Sequence, residues 1–402
     1  MNKNNIVFRV QNYNKVSFGA LLGACSEELL SHLKIIIWEG TGPIPPEALN
    51  GRTLLVYSFM MAHVKSVESE ILQLKSQFSE SAVEAFFISG GAHVTATPES
   101  ITAMGFDLAV CGESEEFFPE FLAKWLEKCP PRGIVKIEPG KVDLNLYPGF
   151  HRLTNYLPPV EISRGCKWGC SYCAVPRLYH GTLRYRSVES ILSIARQYFQ
   201  IQPSRRRIKF LSSNSFGYGS EDGRKPNISA LKELMLGLRS EGVTEISFGS
   251  FPSEVRPDFV TEEVMETIRP FLTNDTIVMG IQTGNDKRLA AMGRGHDRET
   301  AVRAVEMLKK YRFRAHVDFI IGLPHEKQDE QDDLLTFMEE LVHKYNVKVH
   351  MHTFMPLPAT PWENQLSSVI SANARRRLKA LAASNNLDGW WENQIHYGRK
   401  KT

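Results

Sequence analysis

Three cysteines fall within eight positions, in the run Glu161-Ile-Ser-Arg-Gly-Cys166-Lys-Trp-Gly-Cys170-Ser-Tyr-Cys173. Intervals of three and two residues let one loop wrap its thiolates around a single inorganic core, and Gly165 and Gly169 are expected to supply the permissive backbone for that wrap. Ferredoxin-type clusters are closed by four cysteines. Here the fourth is missing locally, because Cys25, Cys111 and Cys129 lie in the other half of the chain. Three ligands on a four-iron–four-sulfur cube leave one iron open, as a catalytic zinc keeps one position open. A zinc knot, or three buried thiols, is the alternative. Zinc sites usually pair CxxC elements or place histidines at set spacing, and neither pattern occurs here.

The elements that must position this loop read as strands and helices in alternation. Apolar runs at 160–164, 208–212, 245–249, 276–282, 315–321 and 347–355 read as strands, and amphipathic stretches at 188–200, 227–240, 261–271, 298–311 and 328–345 as helices. Six strand–helix repeats predict a partial (β/α)6 barrel over 159–363, with chemistry at the C-terminal ends of its strands. The cysteine loop directly follows the first of them. Upstream, short apolar runs at 6–10, 34–38, 53–57, 85–89 and 108–111 alternate with helical stretches at 18–33, 64–78, 98–104 and 115–127. That pattern predicts a flavodoxin-like (Rossmann-like) α/β domain over 1–130, with a ligand crevice at its strand ends. Six prolines between 130 and 159 mark 131–158 as a linker, and 364–402 is expected to be a helical extension.

Composition narrows the function classes. Lys plus Arg is 48 against 45 for Asp plus Glu, so a net charge of +3 gives no general argument for nucleic acid or a membrane surface. The longest apolar runs are too short to span a bilayer, and no apolar signal region opens the chain. Six cysteines, three of them clustered, suit the reducing cytoplasm rather than a disulfide scaffold.

The CxxxCxxC run, with an aromatic just before its third cysteine, resembles the radical S-adenosylmethionine superfamily over about 160–363. The resemblance implies that Cys166, Cys170 and Cys173 hold the cluster and that the open iron chelates the methionine end of S-adenosylmethionine. It also implies reductive cleavage to a 5′-deoxyadenosyl radical and an external low-potential donor, a flavodoxin or ferredoxin. By position, Tyr172 would meet the adenine. Ser212, Ser213 and Asn214 stand where the family carries a Gly-Gly-Glu-like motif, from which this sequence departs. Ser250, Ser253 and Glu254 would contact the ribose or carboxylate. Gly280-Ile-Gln282-Thr-Gly284 and Asp318-Phe-Ile-Ile-Gly322-Leu-Pro324 resemble strand motifs of the methylthiotransferase-like branch, which makes Gln282, Gly284 and Asp318 further contacts.

The upstream half then resembles a cobalamin-binding domain. The loops Ser58-Phe59-Met60, Ser89-Gly90-Gly91-Ala92-His93 and Cys111-Gly112-Glu113 follow its third, fourth and fifth strands. Ser58, Phe59, Met60, Gly90, Gly91, His93, Gly112 and Glu113 become the candidate cobalamin contacts, although His93 is equally suited to cap its own loop. No DxHxxG run is present, so no histidine is assigned to cobalt. This arrangement resembles the subfamily that couples cobalamin to a radical S-adenosylmethionine barrel, along nearly the whole chain. It implies methylation of cobalamin by one S-adenosylmethionine and hydrogen abstraction from an unactivated carbon by the radical from a second. Methyl transfer from cobalt to the substrate radical would follow. The substrate class stays open between small molecule and peptide.

Three rivals remain at this stage: a methylthiotransferase acting on tRNA or protein, a non-enzymatic cofactor carrier, and a radical enzyme without cobalamin or one that rearranges its substrate. Arg184, Arg186, Tyr218 and Arg256 are possible substrate contacts, though such arginines more often serve the surface or ion pairs. Trp390 and Trp391 read as packing.

Overall fold

The computed structural model describes residues 4–154 and 156–398. It divides into two compact units, residues 1–158 with 178–180, and residues 159–177 with 181–402.

The first unit is one parallel six-stranded sheet in the order β2-β1-β3-β4-β5-β6. Its strands are β1 (Asn4–Val10), β2 (Leu33–Glu39), β3 (Thr53–Ser58), β4 (Ala85–Gly90), β5 (Leu108–Cys111) and β6 (Gly133–Lys136). Runs such as Leu54-Leu55-Val56 and Phe86-Phe87-Ile88 are apolar throughout because helices cover both faces of a parallel sheet. Phe8, Leu54, Ile88 and Val110 pack on one face with Phe118, Phe121 and Trp125. Val7, Leu55, Phe87 and Ala109 pack on the other with Ile71, Leu74 and Phe78. Two details depart from the sequence reading. The stretch 18–33 is two helices, Lys15–Gly23 and Glu27–Ser31, because the Ser26 side chain accepts from the Leu29 amide and restarts the helix. The stretch 131–158, expected as a linker, contributes β6, which pairs with β5 from Leu108↔Gly133 to Cys111↔Lys136.

The second unit begins with β7 (Val160–Glu161), followed by a short antiparallel pair, β8 (Ser163–Arg164) and β9 (Arg184–Tyr185). Then come β10 (Arg207–Leu211), β11 (Glu245–Ser247), β12 (Thr276–Gln282), β13 (Arg314–Ile321), β14 (Lys348–Thr353) and β15 (Leu387–Gly389). They form two parallel sheets, β11-β10-β7 and β12-β13-β14-β15. The bridges Ser212↔Ser253 and Val255↔Met279 join them into a partial barrel. Intervening helices start where the sequence offers a cap: Ser187, Asn227, Thr261 and Asp297 each accept an amide three residues on. Residues 364–402, expected to be helical, hold helix Ala372–Ala383 and also β15, which adds to the sheet beside β14. Among the described residues no helix is long and apolar enough to cross a membrane.

Candidate active site

The cysteine loop is pinned at both ends, because β8 and β9 pair across it at Ser163↔Tyr185 and Arg164↔Arg184. Its middle lies against the segment that follows helix Asp286–Ala291. The Ser171 amide donates to the Met292 carbonyl at 2.9 Å, and the Cys170 thiol is 3.8 Å from the Gly293 carbonyl. Gly165 is required, since its φ is +90°, but Gly169 has neither a positive φ nor a crowded Cβ position. The second indispensable glycine is instead Gly295, at φ +73°, where a Cβ would stand 2.1 Å from the Trp168 ring. The Arg256 guanidinium stacks on Trp168 at 3.6 Å.

Burial pushes the Cys173 thiol up to about 12 and raises that of Cys166, while the Val175 and Trp168 amides favour their thiolates. Such thiols become anions only against a strong cation, as iron provides. A single tetrahedral zinc draws thiolates to about 3.8 Å from one another, given Zn–S bonds of about 2.3 Å. Among the described residues the sets of three ligand atoms within 4.8 Å of one another are His316, His350, Asp388 and Asp318, His350, His352; the thiol triad is not one of them. The three sulfurs therefore do not stand at the spacing of one tetrahedral ion.

Arg294, which the sequence reading overlooked, is the residue around which the site is organised. Its guanidinium lies 3.8 Å from the Cys170 sulfur and 3.2 Å from the Tyr172 hydroxyl, and it donates to the Gly280 carbonyl. That carbonyl belongs to β12 at the point where its register shifts between Gly280 and Gln282, and Gln282 itself holds a φ of +77°. Backbone strain of this kind collects at functional sites. Beside Arg294, the ring nitrogens of buried His296 lack hydrogen-bond partners among the described residues. Burial, then the charges of Arg294 and Arg256, hold that imidazole down to about 3, so it is neutral.

Glu254, in the segment between β11 and β12, and Asp318 on β13 both interact with the charge of Arg294. Burial raises both carboxyls, and Glu254 raises that of Asp318 further, against the guanidinium. Glu254 is nevertheless accessible to solvent.

Other expected contacts spend their side chains within the protein. Ser212 bonds Ser163 at 2.7 Å, Ser253 bonds Ser215, and Asn214 accepts from the Arg256 amide at 3.2 Å. These three brace the shelf beside the cysteine loop. Ser213 is exposed and donates to the Gly165 carbonyl at 3.0 Å. Gly284 answers to packing, for a Cβ there would stand 2.3 Å from Phe337. Arg186, Tyr218 and Arg256, considered as substrate contacts, are all buried: the Tyr218 hydroxyl donates to the Arg186 carbonyl, and Arg256 pairs with Asp258 at 3.0 Å.

In the first unit the predicted loops gather at one edge of the sheet. Gly91 (φ +96°) and Gly112 (φ +105°) are required there, since a Cβ would meet the Ser58 hydroxyl at 2.7 Å and the Ile137 carbonyl at 2.9 Å. Phe59 is core, packed against Phe106, while Met60 is exposed. Glu113 accepts from the Gly140 amide at 2.6 Å. His93 contacts the Thr97 hydroxyl at 3.2 Å, one turn on along its own segment. Its Nδ1, the Ser89 hydroxyl and the His63 Nδ1 are buried without partners among the described residues. The His63 ring stacks on Tyr13 at 3.6 Å, between the ends of β1 and β3 where the strand order reverses. Orphaned polar atoms at that switch point and at the neighbouring end of β4 fit a polar ligand.

Residues 160–338 match the Radical SAM superfamily, so the barrel is a radical S-adenosylmethionine domain. The chain is 25% identical to an uncharacterized protein of Methanopyrus kandleri over 76% of its own length and 69% of the relative's. It is 27% identical to the tRNA-2-methylthio-N(6)-dimethylallyladenosine synthase of Pelobacter propionicus, over 67% of this chain and 60% of that one. Among solved structures it resembles the cobalamin-dependent S-adenosylmethionine radical enzyme OxsB with aqua-cobalamin bound (TM-score 0.64, 17% identity, 84% of this chain but 52% of that one). It also resembles the radical S-adenosylmethionine methyltransferase TsrM from Kitasatospora setae with cobalamin and a [4Fe-4S] cluster bound (TM-score 0.62, 12% identity, 90% and 74%). The fold of the chain is thus that of the cobalamin-dependent radical enzymes.

Proposed function

We propose that this protein is a cobalamin-dependent radical methyltransferase acting on an unactivated carbon. The observation that carries the reading is an open three-thiol site in a radical S-adenosylmethionine barrel, on a chain whose other unit keeps a glycine-built, polar crevice. When bound, the cluster supplies the electron that cleaves S-adenosylmethionine, and cobalamin supplies a methyl group. Cys166, Cys170 and Cys173 would hold the cluster and leave one iron open to the methionine amine and carboxylate. Arg294 places a fixed positive charge beside Cys170, where it would suit a bound carboxylate and the extra electron of a reduced cluster. Tyr172 packs with Ile320, Leu323 and Phe354 as an apolar wall, while Glu254, Asp318 and Gln282 offer polar partners to the ribose. In the first unit, Gly91 and Gly112 let the loops after β4 and β5 close on Ser58 and Ile137, and Ser89, His63 and His93 keep polar atoms for the cobalamin periphery.

Methylthiotransferase chemistry is the second reading, favoured by the tRNA-modifying relative. A second cluster in the first unit is disfavoured, because Cys25 packs with one core of the sheet whereas the Cys111 thiol donates to Val94 in the other.

Anaerobic reconstitution with iron, sulfide and hydroxocobalamin tests the proposal. About four irons and one cobalamin per chain, with reductive formation of 5′-deoxyadenosine from S-adenosylmethionine, are expected. Eight irons and no cobalamin would transfer the assignment to the methylthiotransferase reading. Four irons with deoxyadenosine and no cobalamin would leave a radical enzyme without methyl transfer.

A further inference from the structure

Barrel interiors are ordinarily filled by Val, Ile and Leu. Here β13, β14 and β15 carry titratable side chains on that face. Phe319 packs edge-on against Phe337 of helix Gln328–Tyr345, so the alternate residues, His316 and Asp318, point away from the helices. Register then sets His350 directly between Asp318 on one side and Asp388 on the other, with His316 opposite Lys348 two residues below.

Within this column one oxygen of Asp388 lies 2.5 Å from His350 Nδ1 and 3.1 Å from His316 Nε2. Lys348 holds the other oxygen at 2.9 Å. Ligands bound to one metal ion at about 2.1 Å stand about 3 Å from one another, so the His316 pair already has that spacing and the hydrogen-bonded His350 pair needs to open by only about half an ångström. All three side chains are half-exposed, which leaves room for water on the remaining positions. They sit on hydrogen-bonded strands rather than loops, so the geometry is pre-formed.

We propose that His316, His350 and Asp388 bind one divalent first-row transition ion of the zinc or ferrous class, separate from the cysteine site. Two imidazoles and one carboxylate, with open positions, form the facial donor set such ions take. Lys348 orients the carboxylate and leaves it a single free oxygen. The neighbouring set of Asp318, His350 and His352 is the weaker arrangement, because Gln394 already occupies His352 Nδ1 at 3.2 Å and Asp318 faces Glu254 and Arg294. This proposal does not depend on cobalamin or on the reaction catalysed.

The test uses the full chain with Cys166, Cys170 and Cys173 all changed to Ala, so that no metal can occupy the cluster site. Titration with Co2+ should give one equivalent bound, with weak ligand-field bands and no thiolate-to-metal charge transfer. His316→Gln and Asp388→Asn should each weaken binding at least about tenfold, and Zn2+ should raise the melting temperature of the parent but not of these variants. Circular dichroism shows that each variant is folded, and either one suffices. The proposal is overturned by the absence of stoichiometric Co2+ or by a thiolate band. It also fails if the loss follows Asp318→Asn and His352→Gln while His316→Gln and Asp388→Asn bind as the parent does.

Discussion

In the sheet of the first unit, β1, β3, β4 and β5 are apolar on both faces, and their polar groups wait in the loops at the strand ends. In the barrel, the face of β13 and β14 turned from the helices mixes apolar Ile320 with Asp318, His350 and His352, and β12 ends in buried Gln282. Both are parallel sheets. The difference is closure. An open sheet covered by helices on both sides has only its strand ends left for polar work, whereas a barrel encloses a second environment along the strands themselves. Chemistry in the first unit is therefore a matter of glycine loops, and in the second a matter of residues inside strands.

The deepest cut through this comparison is Cys170→Ala. Iron should fall from about four per chain toward zero and deoxyadenosine formation should vanish, while cobalamin binding in the first unit persists. Loss of both together would show that the two sites are one.

Glu326 tests how far burial at the barrel rim controls stability. Burial pushes its carboxyl from 4.5 up to about 7, although it accepts the Gly322 amide at 2.6 Å. Below pH 4.5 it is neutral in folded and unfolded chains alike. As pH rises toward 7 the unfolded chain ionises first, so stability falls, by about 3 kcal/mol in all. Glu326→Gln keeps an acceptor for Gly322 and should flatten that decline in urea titrations between pH 5 and 8. An unchanged slope would refute the account.

Arg294→Gln removes the fixed charge beside Cys170. Hydrogen bonds to charged groups contribute about 1.5–3 kcal/mol, so S-adenosylmethionine affinity should drop roughly 10- to 100-fold. Iron content should hold, which separates recognition from cluster assembly. The smallest effect belongs to the first unit. Gly91→Ala forces a left-handed backbone and meets Ser58, at a cost of about 1–3 kcal/mol. Hydroxocobalamin binding should weaken about tenfold with no change in iron.

The cysteine triad, the two alternating halves and their strand centres were legible because each rests on local pattern: ligand spacing, apolar runs, and capping residues such as Ser187 and Asp297. The edge strands β6 and β15 were not, since runs of four and three residues carry no periodicity and exist only because a neighbour offers them hydrogen bonds. The polar column left a trace in Lys348-Val-His350-Met-His352, a strand polar at every second position. A reading of strands as merely apolar passes over it.

What the sequence determined by itself is the chemistry of one loop, because three thiolates four and three positions apart must share whatever they bind. Tertiary structure alone decided that Arg294 stands beside Cys170 across 124 positions, and that Asp388 reaches His316 across 72. Strand register and barrel closure set those distances, and neither is encoded in any stretch short enough to read as a motif.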